Sequence, residues 1–207
     1  MIRFYKPFGV LSQFRDPERP TLGDYIDLPG VYPAGRLDLD SEGLLLLTDD
    51  GALQARISHP RHKLAKHYWV QVEAQPGDDE VQAIATKLLR GVELGDGPAR
   101  AVALRRLEPP SLPDRDPPVT PHRAARSSWF EVVLTEGRNR QVRRMLAAVG
   151  MPVLRLHRAR VGPVDLAGLE PGAWQEVPVP ASLLPAPLSK ASSAAKSSSV
   201  RRRRANH

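Results

Sequence analysis

Four consecutive leucines, Leu44 to Leu47, stand between Gly43 and the turn-forming residues Asp49, Asp50 and Gly51. A short apolar run with such boundaries is typical of a strand that is buried on both faces. Periodicity alone leaves a buried helical turn open as the alternative. The run therefore predicts a core element, and the chain has to be folded around it.

The chain has 207 residues, of which 41% are hydrophobic and 26% are charged. This length is sufficient for one large domain or two small ones with a sizeable core. The absence of cysteine excludes disulfide frameworks, thiol nucleophiles and zinc sites built on thiolates. No apolar run reaches the roughly 18 residues that a membrane-spanning helix needs, and the start lacks a signal-peptide pattern. These features predict a soluble, cytoplasmic protein that does not act at a membrane.

The net charge of +7 is unevenly distributed. Residues 182–207 carry six basic residues and no acidic one, which leaves a charge of only +1 for residues 1–181. Within that nearly neutral part, residues 136–160 contain seven arginines and the single acid Glu136. A local excess of this kind predicts a binding site for a polyanion.

Two segments interrupt the hydrophobic pattern. Residues 182–207 are rich in Ser and Ala, which predicts a disordered basic tail because little apolar surface could be buried. Pro109 to Pro121 contains six prolines in thirteen residues, which predicts a long surface loop. We therefore assign residues 1–181 to one domain, with a proline-rich loop at 109–127, and residues 182–207 to the tail.

Helical and strand periods alternate between these breaks. Apolar spacing predicts one helix capped by Asp78 and ending at Gly91, and a second helix from Gln141 to Val149. The second helix would carry Arg140 and Arg144 opposite its apolar face and Arg143 at the flank. Strand-like runs are rich in β-branched and aromatic residues: Ile2–Tyr5, Tyr68–Val72, Ala101–Leu107, Trp129–Leu134 and Val153–Leu156. The pattern predicts a mixed α+β class with more strands than helices.

The densest polar cluster is the segment Gly35–Gly43, GRLDLDSEG, which leads directly into the leucine run. The simplest interpretation is a solvated loop whose Asp and Ser side chains cap the neighbouring backbone. A calcium loop is a second interpretation, because Asp38, Asp40 and Glu42 match positions 1, 3 and 5 of an EF-hand. Against it, residues 32–35 would break the entering helix, and position 12 is an aspartate instead of a bidentate glutamate.

A third interpretation makes one carboxylate of this loop a catalyst. An aspartate held rigidly where a core strand begins can act as a nucleophile or base at a carbon centre without a metal or cofactor. Its electrostatic partner would be one of the arginines in residues 136–160.

Four motifs resemble, in the same order, those of the RsuA-type pseudouridine synthases: Lys6-Pro7-Phe8-Gly9, GRLDLDSEGLLLLTDDG from residue 35, Lys66-His67-Tyr68, and EGRNRQVRRM from residue 136. The resemblance covers about residues 1–180. It implies an α+β pseudouridine synthase fold, with a central, mostly antiparallel sheet flanked by helices and a catalytic cleft across it. The chain begins at the first motif, without room for the N-terminal S4 domain of many members, and in this it resembles the branch of large-subunit pseudouridine synthase E.

The resemblance implies an enzyme that isomerises a specific uridine of ribosomal RNA, expected to be 23S, to pseudouridine. The reaction breaks the N1–C1′ bond and joins C5 to C1′ without a net change in composition, so neither a cofactor nor a metal is expected. By resemblance, Asp38 is the catalytic carboxylate, and it could add to the sugar or take a proton from the 2′ carbon. Asp40 and Glu42 then support the loop. Tyr68 matches the active-site tyrosine, although outside the motif it would be an ordinary strand aromatic.

The last motif supplies the arginine expected to keep Asp38 ionised and oriented. We favour Arg143 for this role, with Arg138 as the second choice. If Arg138 does not pair with Asp38, we expect it to bind RNA. Arg140 and Arg144 are predicted to meet RNA phosphates, the alternative being a solvated helix surface.

A stacked uridine cannot present C1′ to a carboxylate, so the nucleotide must be flipped out or lie in an unpaired loop. We expect Arg36 to act as the wedge, the alternative being a static salt bridge to Asp40 or Glu42. Lys6 and Lys66 are predicted to position phosphate or brace the site. We expect ribosomal RNA as the partner of a monomeric protein.

A non-catalytic RNA-binding or ribosome-assembly protein on the same fold is the rival interpretation. RNA binding alone does not require a buried carboxylate that faces a polyanion, so the presence of Asp38, Tyr68 and Arg143 favours the enzyme.

Overall fold

Nine of the eleven strands in the computed structural model, which describes residues 1–166 and 168–184, join one sheet. The strands are β1 Ile2–Lys6, β2 Tyr32–Pro33, β3 Glu42–Thr48, β4 Lys66–Val72, β5 Val92–Leu94, β6 Gly97–Ala99, β7 Ala103–Leu107, β8 Ser128–Leu134, β9 Val153–Val161, β10 Val164–Asp165 and β11 Trp174–Glu176. The α-helices are α1 Gly51–Ser58, α2 Asp78–Arg90, α3 Pro121–Ala124 and α4 Gln141–Ala147. None of these helices has the length and hydropathy needed to span a bilayer.

The main sheet runs in the order β11-β1-β3-β9-β4-β8-β7, with β2 paired to β3 and β10 to β9. All pairings are antiparallel except that of β3 with β9, where Glu42 and Gly43 lie opposite His157 and Arg158. β5 and β6 form a separate hairpin. The predicted α+β class with a mostly antiparallel central sheet is confirmed.

The leucine run forms most of β3, and every residue of this strand is buried. Leu45 and Leu47 belong to the larger core, whereas Leu44 and Leu46 pack into a smaller cluster with α1. Gly43 has a φ of +102°, and a Cβ at this position would collide with the Arg158 backbone. Glycine thus allows β3 and β9 to approach closely at the end of the polar loop.

The two predicted helices are present with shifted ends. α2 uses Gly77 as its N-cap, so Asp78 is the first helical residue and not the cap. α4 ends at Ala147, two residues before the predicted end, and begins after Arg140, which has a left-handed φ of 48°. α1 was not predicted; it is capped by the Asp50 carboxylate, which accepts hydrogen bonds from the amides of Ala52 and Leu53.

Both segments that were predicted to be irregular contain some helical structure. The proline-rich segment 109–127 contains α3. Residues 181–183 form a 3-10 helix in which Leu183 is buried, so packed structure continues beyond the predicted end of the domain at residue 181. The rest of the predicted tail, 185–207, lies outside the described residues.

Candidate active site

A cavity of about 680 Å³ opens on one face of the sheet, between the polar loop and the segment that precedes α4. Its lining includes six predicted site residues: Arg36, Asp38, Lys66, Tyr68, Arg138 and Arg140. The other three, Lys6, Arg143 and Arg144, do not line it. Two loops separated by about a hundred residues therefore form the opposing walls of one site.

The polar loop is held in place by the N-terminal part of the chain. The Ser12 hydroxyl accepts a hydrogen bond from the Leu37 amide at 3.1 Å and donates one to the Leu37 carbonyl at 2.8 Å. The Gly9 amide donates to the Leu39 carbonyl at 2.9 Å. Asp38 lies between these two anchors, so its backbone position is fixed on both sides.

The Asp38 carboxylate is 29% exposed and accepts no hydrogen bond from a described residue. Its nearest cationic atom within that part of the chain is Arg140 Nη1, which lies 3.9 Å from Asp38 Oδ2. The carboxylate therefore opens into the cavity with its lone pairs uncommitted.

Asp40, two residues later, is held tightly. Arg140 donates to both Asp40 carboxylate oxygens, at 2.9 and 2.8 Å. Arg143 donates to the Asp40 carbonyl at 2.6 Å, and its Nε lies 3.4 Å from Asp40 Oδ2. Burial opposes ionisation, but the Arg140 hydrogen bonds and the Arg143 charge outweigh it and hold the pKa of Asp40 below its usual value.

The predicted pairing of Arg143 with Asp38 is wrong in this structure. Arg143 binds Asp40 and the Val153 carbonyl, whereas Arg140 is the arginine closest to Asp38. Arg140 precedes α4 in a left-handed backbone conformation, outside the helical pattern, and its guanidinium reaches the Asp40 carboxylate.

The second-choice partner, Arg138, is also bound elsewhere. Arg144 donates to both carboxylate oxygens of Asp96 at 3.0 Å, and Arg138 donates to the same carboxylate at 3.1 Å. Arg138 also donates to the carbonyls of Asp96, Gly97 and Pro98. The hydrogen bonds from Arg144 outweigh burial and, with the Arg138 charge, lower the pKa of Asp96. The two arginines thus fasten the β5–β6 hairpin to the start of α4.

The two lysines differ in position. Lys66 lines the cavity, and burial together with the Arg158 charge lowers its pKa to about 8. Lys6 is fully buried and donates to the Pro7 carbonyl at 2.9 Å and the Val10 carbonyl at 2.6 Å. A phosphate contact by Lys6 is therefore excluded in this conformation, because its ammonium group lies in the interior; it braces the first motif.

Arg36 is exposed at the rim of the cavity. Its predicted alternative, a salt bridge to Asp40 or Glu42, is absent among the described residues. Asp40 is occupied by the arginines of the opposing wall, and Glu42 receives hydrogen bonds from Arg155 at 2.9 and 2.8 Å.

The Glu42–Arg155 pair also contradicts the calcium-loop interpretation. Glu42 is 4% exposed and directed into the interior, and the residues after it form a strand.

Arg158 is a cavity residue that sequence reasoning missed, beyond counting it in the basic patch. It is buried, and its guanidinium donates to the carbonyls of Leu44 at 2.8 Å and Arg36 at 3.3 Å, so it ties the polar loop to β9.

The family model for RNA pseudouridylate synthases matches residues 1–148. The chain belongs to this family. It is similar to the ribosomal large subunit pseudouridine synthase E of Xanthomonas campestris pv. campestris, with 53% identity over 84% of this chain and 94% of the relative. The corresponding protein of Vibrio vulnificus is 47% identical over 87% of this chain and 76% of its own length.

More distant relatives extend the same picture. Synthase B of Yersinia pestis is 39% identical over 88% of this chain and 53% of its own length. A pseudouridylate synthase crystal structure superposes with a TM-score of 0.68 at 30% identity, covering 86% of this chain and 69% of the other. An H/ACA RNP bound to a substrate RNA has 18% identity and a TM-score of 0.55 over 79% of this chain and 48% of its own, which shows a shared fold alone. The predicted family and enzyme class, a pseudouridine synthase and hence an isomerase, are confirmed.

Proposed function

We propose that this synthase converts one specific uridine of 23S ribosomal RNA to pseudouridine, with Asp38 as its catalytic carboxylate. The relatives named as ribosomal large subunit pseudouridine synthases support the substrate class. The observation that carries the proposal is the uncommitted Asp38 carboxylate, which opens into a cavity also lined by Tyr68 and Arg140. A cavity of this size accommodates a nucleotide.

Asp38 has two routes to the product. In the first, a carboxylate oxygen bonds to C1′ while the N1–C1′ bond breaks and its electrons pass to uracil; after the base turns, C5 attacks C1′ and expels the carboxylate. In the second, Asp38 takes the C2′ proton, a C1′–C2′ double bond forms as uracil leaves, and C2′ regains the proton when C5 attacks C1′. In both routes C5 then loses its proton and N1 gains one.

The other cavity residues match the remaining steps. The Tyr68 ring can stack on the turned base, and its hydroxyl can relay the C5 proton by passing its own proton on to water as it takes the proton from C5. Arg140, whose Nη1 lies 3.9 Å from Asp38 Oδ2, can orient the carboxylate toward the nucleotide. Arg36, exposed at the rim, is placed to fill the gap left by the extruded nucleotide.

The phosphate contacts are expected where arginines are exposed beside the cavity. Arg140 is 45% exposed in its side chain, and Arg144 is 34% exposed. Both are paired with carboxylates, so RNA phosphates would compete with Asp40 and Asp96 for them. A monomeric, cytoplasmic state stays a prediction from the sequence.

The test is a map of pseudouridines in ribosomal RNA from cells that lack the gene. We expect one 23S position to lose its pseudouridine, the gene for the parent protein to restore it, and the Asp38→Asn gene, expressed at the same level, to leave uridine there. An unchanged map would contradict the substrate assignment. Restoration by Asp38→Asn would contradict the role of the carboxylate.

A further inference from the structure

A second cavity, of about 850 Å³, lies on the opposite face of the sheet. Side chains alternate between the faces of a strand, and in β4 Tyr68 lines the first cavity whereas its neighbours His67 and Trp69 line the second. In β9 the residues divide in the same way, with Arg158 in the first cavity and His157 in the second. None of the residues that form this back cavity takes part in the chemistry described above.

Three aromatic rings form one side of the back cavity. The His157 ring lies between Tyr5 and Trp69, with centroid distances of 5.2 Å and 5.6 Å. Trp69 is half-buried, so part of the indole surface faces the open space. Such a surface is suited to stacking against a flat ring.

Three polar atoms of these rings have no hydrogen-bond partner among the described residues: Tyr5 Oη, His157 Nδ1 and His157 Nε2. Both residues are almost fully buried, and a buried polar group without a partner destabilises a fold. Burial and the Arg155 charge lower the pKa of His157 to about 3, so the ring is neutral at physiological pH. A neutral imidazole offers one donor and one acceptor.

The rest of the polar lining carries an acidic excess, and its histidine, His67, is already paired. Arg160 Nη2 lies 2.9 Å from His67 Nε2, and since arginine can only donate, this nitrogen accepts. His67 Nδ1–H then donates to Glu131 at 2.9 Å. Asp165 and Glu170 add two further carboxylates to the lining. This charge disfavours phosphate and favours a ligand with an amino group.

We propose that the back cavity binds an aminated nucleobase, adenine or cytosine, either as a free nucleoside or as an unpaired base of RNA. The base stacks on the aromatic side of the cavity. Its amino group and the adjacent ring nitrogen supply the donor and acceptor that His157 and Tyr5 lack, which requires a small movement of the two rings because these polar atoms are buried in this structure. The proposal does not depend on the uridine-modifying function of the first cavity.

Equilibrium dialysis of the full chain against labelled adenosine tests the proposal. We expect saturable binding, which Tyr5→Phe and His157→Phe each weaken about tenfold or more, because each removes hydrogen-bonding atoms and keeps a ring. Tyr68→Phe is the matched control, since it removes the same hydroxyl on the opposite face; it should bind adenosine within about twofold of the parent. Inosine, which has a carbonyl in place of the amino group, should bind at least about tenfold more weakly than adenosine.

The two sources of the base are distinguished by oligonucleotides. If the ligand is an RNA base, an adenosine hexamer should bind more tightly than a uridine hexamer, and Tyr5→Phe should abolish that preference. If it is a free nucleoside, adenosine binds and the hexamers show no preference that depends on Tyr5. Absence of saturable binding by adenosine and of any adenine preference in the hexamers would overturn the proposal, as would parent-like binding by both variants.

Thermal unfolding of Tyr5→Phe gives an independent reading. An unpartnered hydroxyl contributes nothing to the fold, so the unfolding midpoint should stay the same or rise. A lowered midpoint with unchanged adenosine binding would show that the hydroxyl is bonded within the protein and would count against the site.

Discussion

The two walls of the first cavity hold their charged groups differently. On the arginine wall, Arg138, Arg140, Arg143 and Arg144 all have a carboxylate within 4 Å. On the loop wall, Asp40 and Glu42 are fixed by arginines, whereas Asp38 accepts no hydrogen bond from the described residues. The arginines therefore serve first to build the wall, and one carboxylate is left to react.

The largest effect should come from substituting asparagine for Asp38 and, in a separate variant, for Asp40. Asp38→Asn should lower turnover more than about a thousandfold, as the loss of a reacting group does, with RNA binding nearly intact. Asp40→Asn loses only charge at a group that supports the loop, so measurable turnover should remain. Release of tritium from RNA labelled at uridine C5 measures both. Equal turnover by Asp38→Asn and the parent would show that Asp38 is not the reacting carboxylate.

The stability of the loop wall should depend on its interior ion pair. Arg155→Met leaves the Glu42 carboxylate buried without its partner, which should cost about 3–5 kcal/mol of unfolding free energy. Asp96→Asn weakens two ion pairs, with Arg138 and Arg144, at a half-exposed carboxylate, so its urea midpoint should change much less than that of Arg155→Met. Urea unfolding of both variants makes the comparison. A parent-like midpoint for Arg155→Met would mean that Glu42 does not anchor the loop.

Substitutions of two adjacent arginines of α4 should separate an effect on the reaction rate from an effect on RNA affinity. Arg143→Ala should lower the single-turnover rate at saturating RNA by about ten- to a hundredfold, because Arg143 orients the Asp40 backbone beside Asp38. Arg144→Ala should keep that rate within about twofold and reduce the salt dependence of RNA binding by about one unit of slope. If Arg143→Ala lowers only the affinity for RNA and keeps the parent rate at saturating RNA, the positioning role of Arg143 is wrong.

The last comparison concerns Lys6, whose pKa is lowered by burial from 10.5 to about 7. Between these two values the unfolded chain binds a proton at Lys6 that the folded protein does not, so the contribution of Lys6 to stability rises with pH across this window. The difference in unfolding midpoint between the parent and the Lys6→Met variant should therefore shift in favour of the parent as the pH is raised from 6 to 9. The dependence of RNA affinity on salt concentration, measured at one pH, should be equal for the two proteins. A smaller dependence for Lys6→Met would support the predicted phosphate contact of Lys6.

Much of the fold could be predicted because it follows from local pattern. The leucine run of β3, the helix from Asp78 and the motif that carries Asp38 are each readable within about ten residues. The length of β9 was underestimated, since His157 and Arg158, which follow the predicted end at Leu156, are buried although they are polar. Their burial depends on partners elsewhere in the chain, which a local pattern does not contain.

The sequence alone determined the family, the main strands of the sheet, the helices α2 and α4, and which loop and which arginine segment would face each other. Only the tertiary structure decided that Arg143 binds Asp40, that Lys6 lies in the interior, and that the His157 ring on the opposite face has no hydrogen-bond partner within residues 1–166 and 168–184. Helical and strand periods specify the direction of a side chain relative to its own element. They do not specify which group lies opposite it, and the ion pairs of Asp40 and Glu42 join residues that are a hundred or more positions apart.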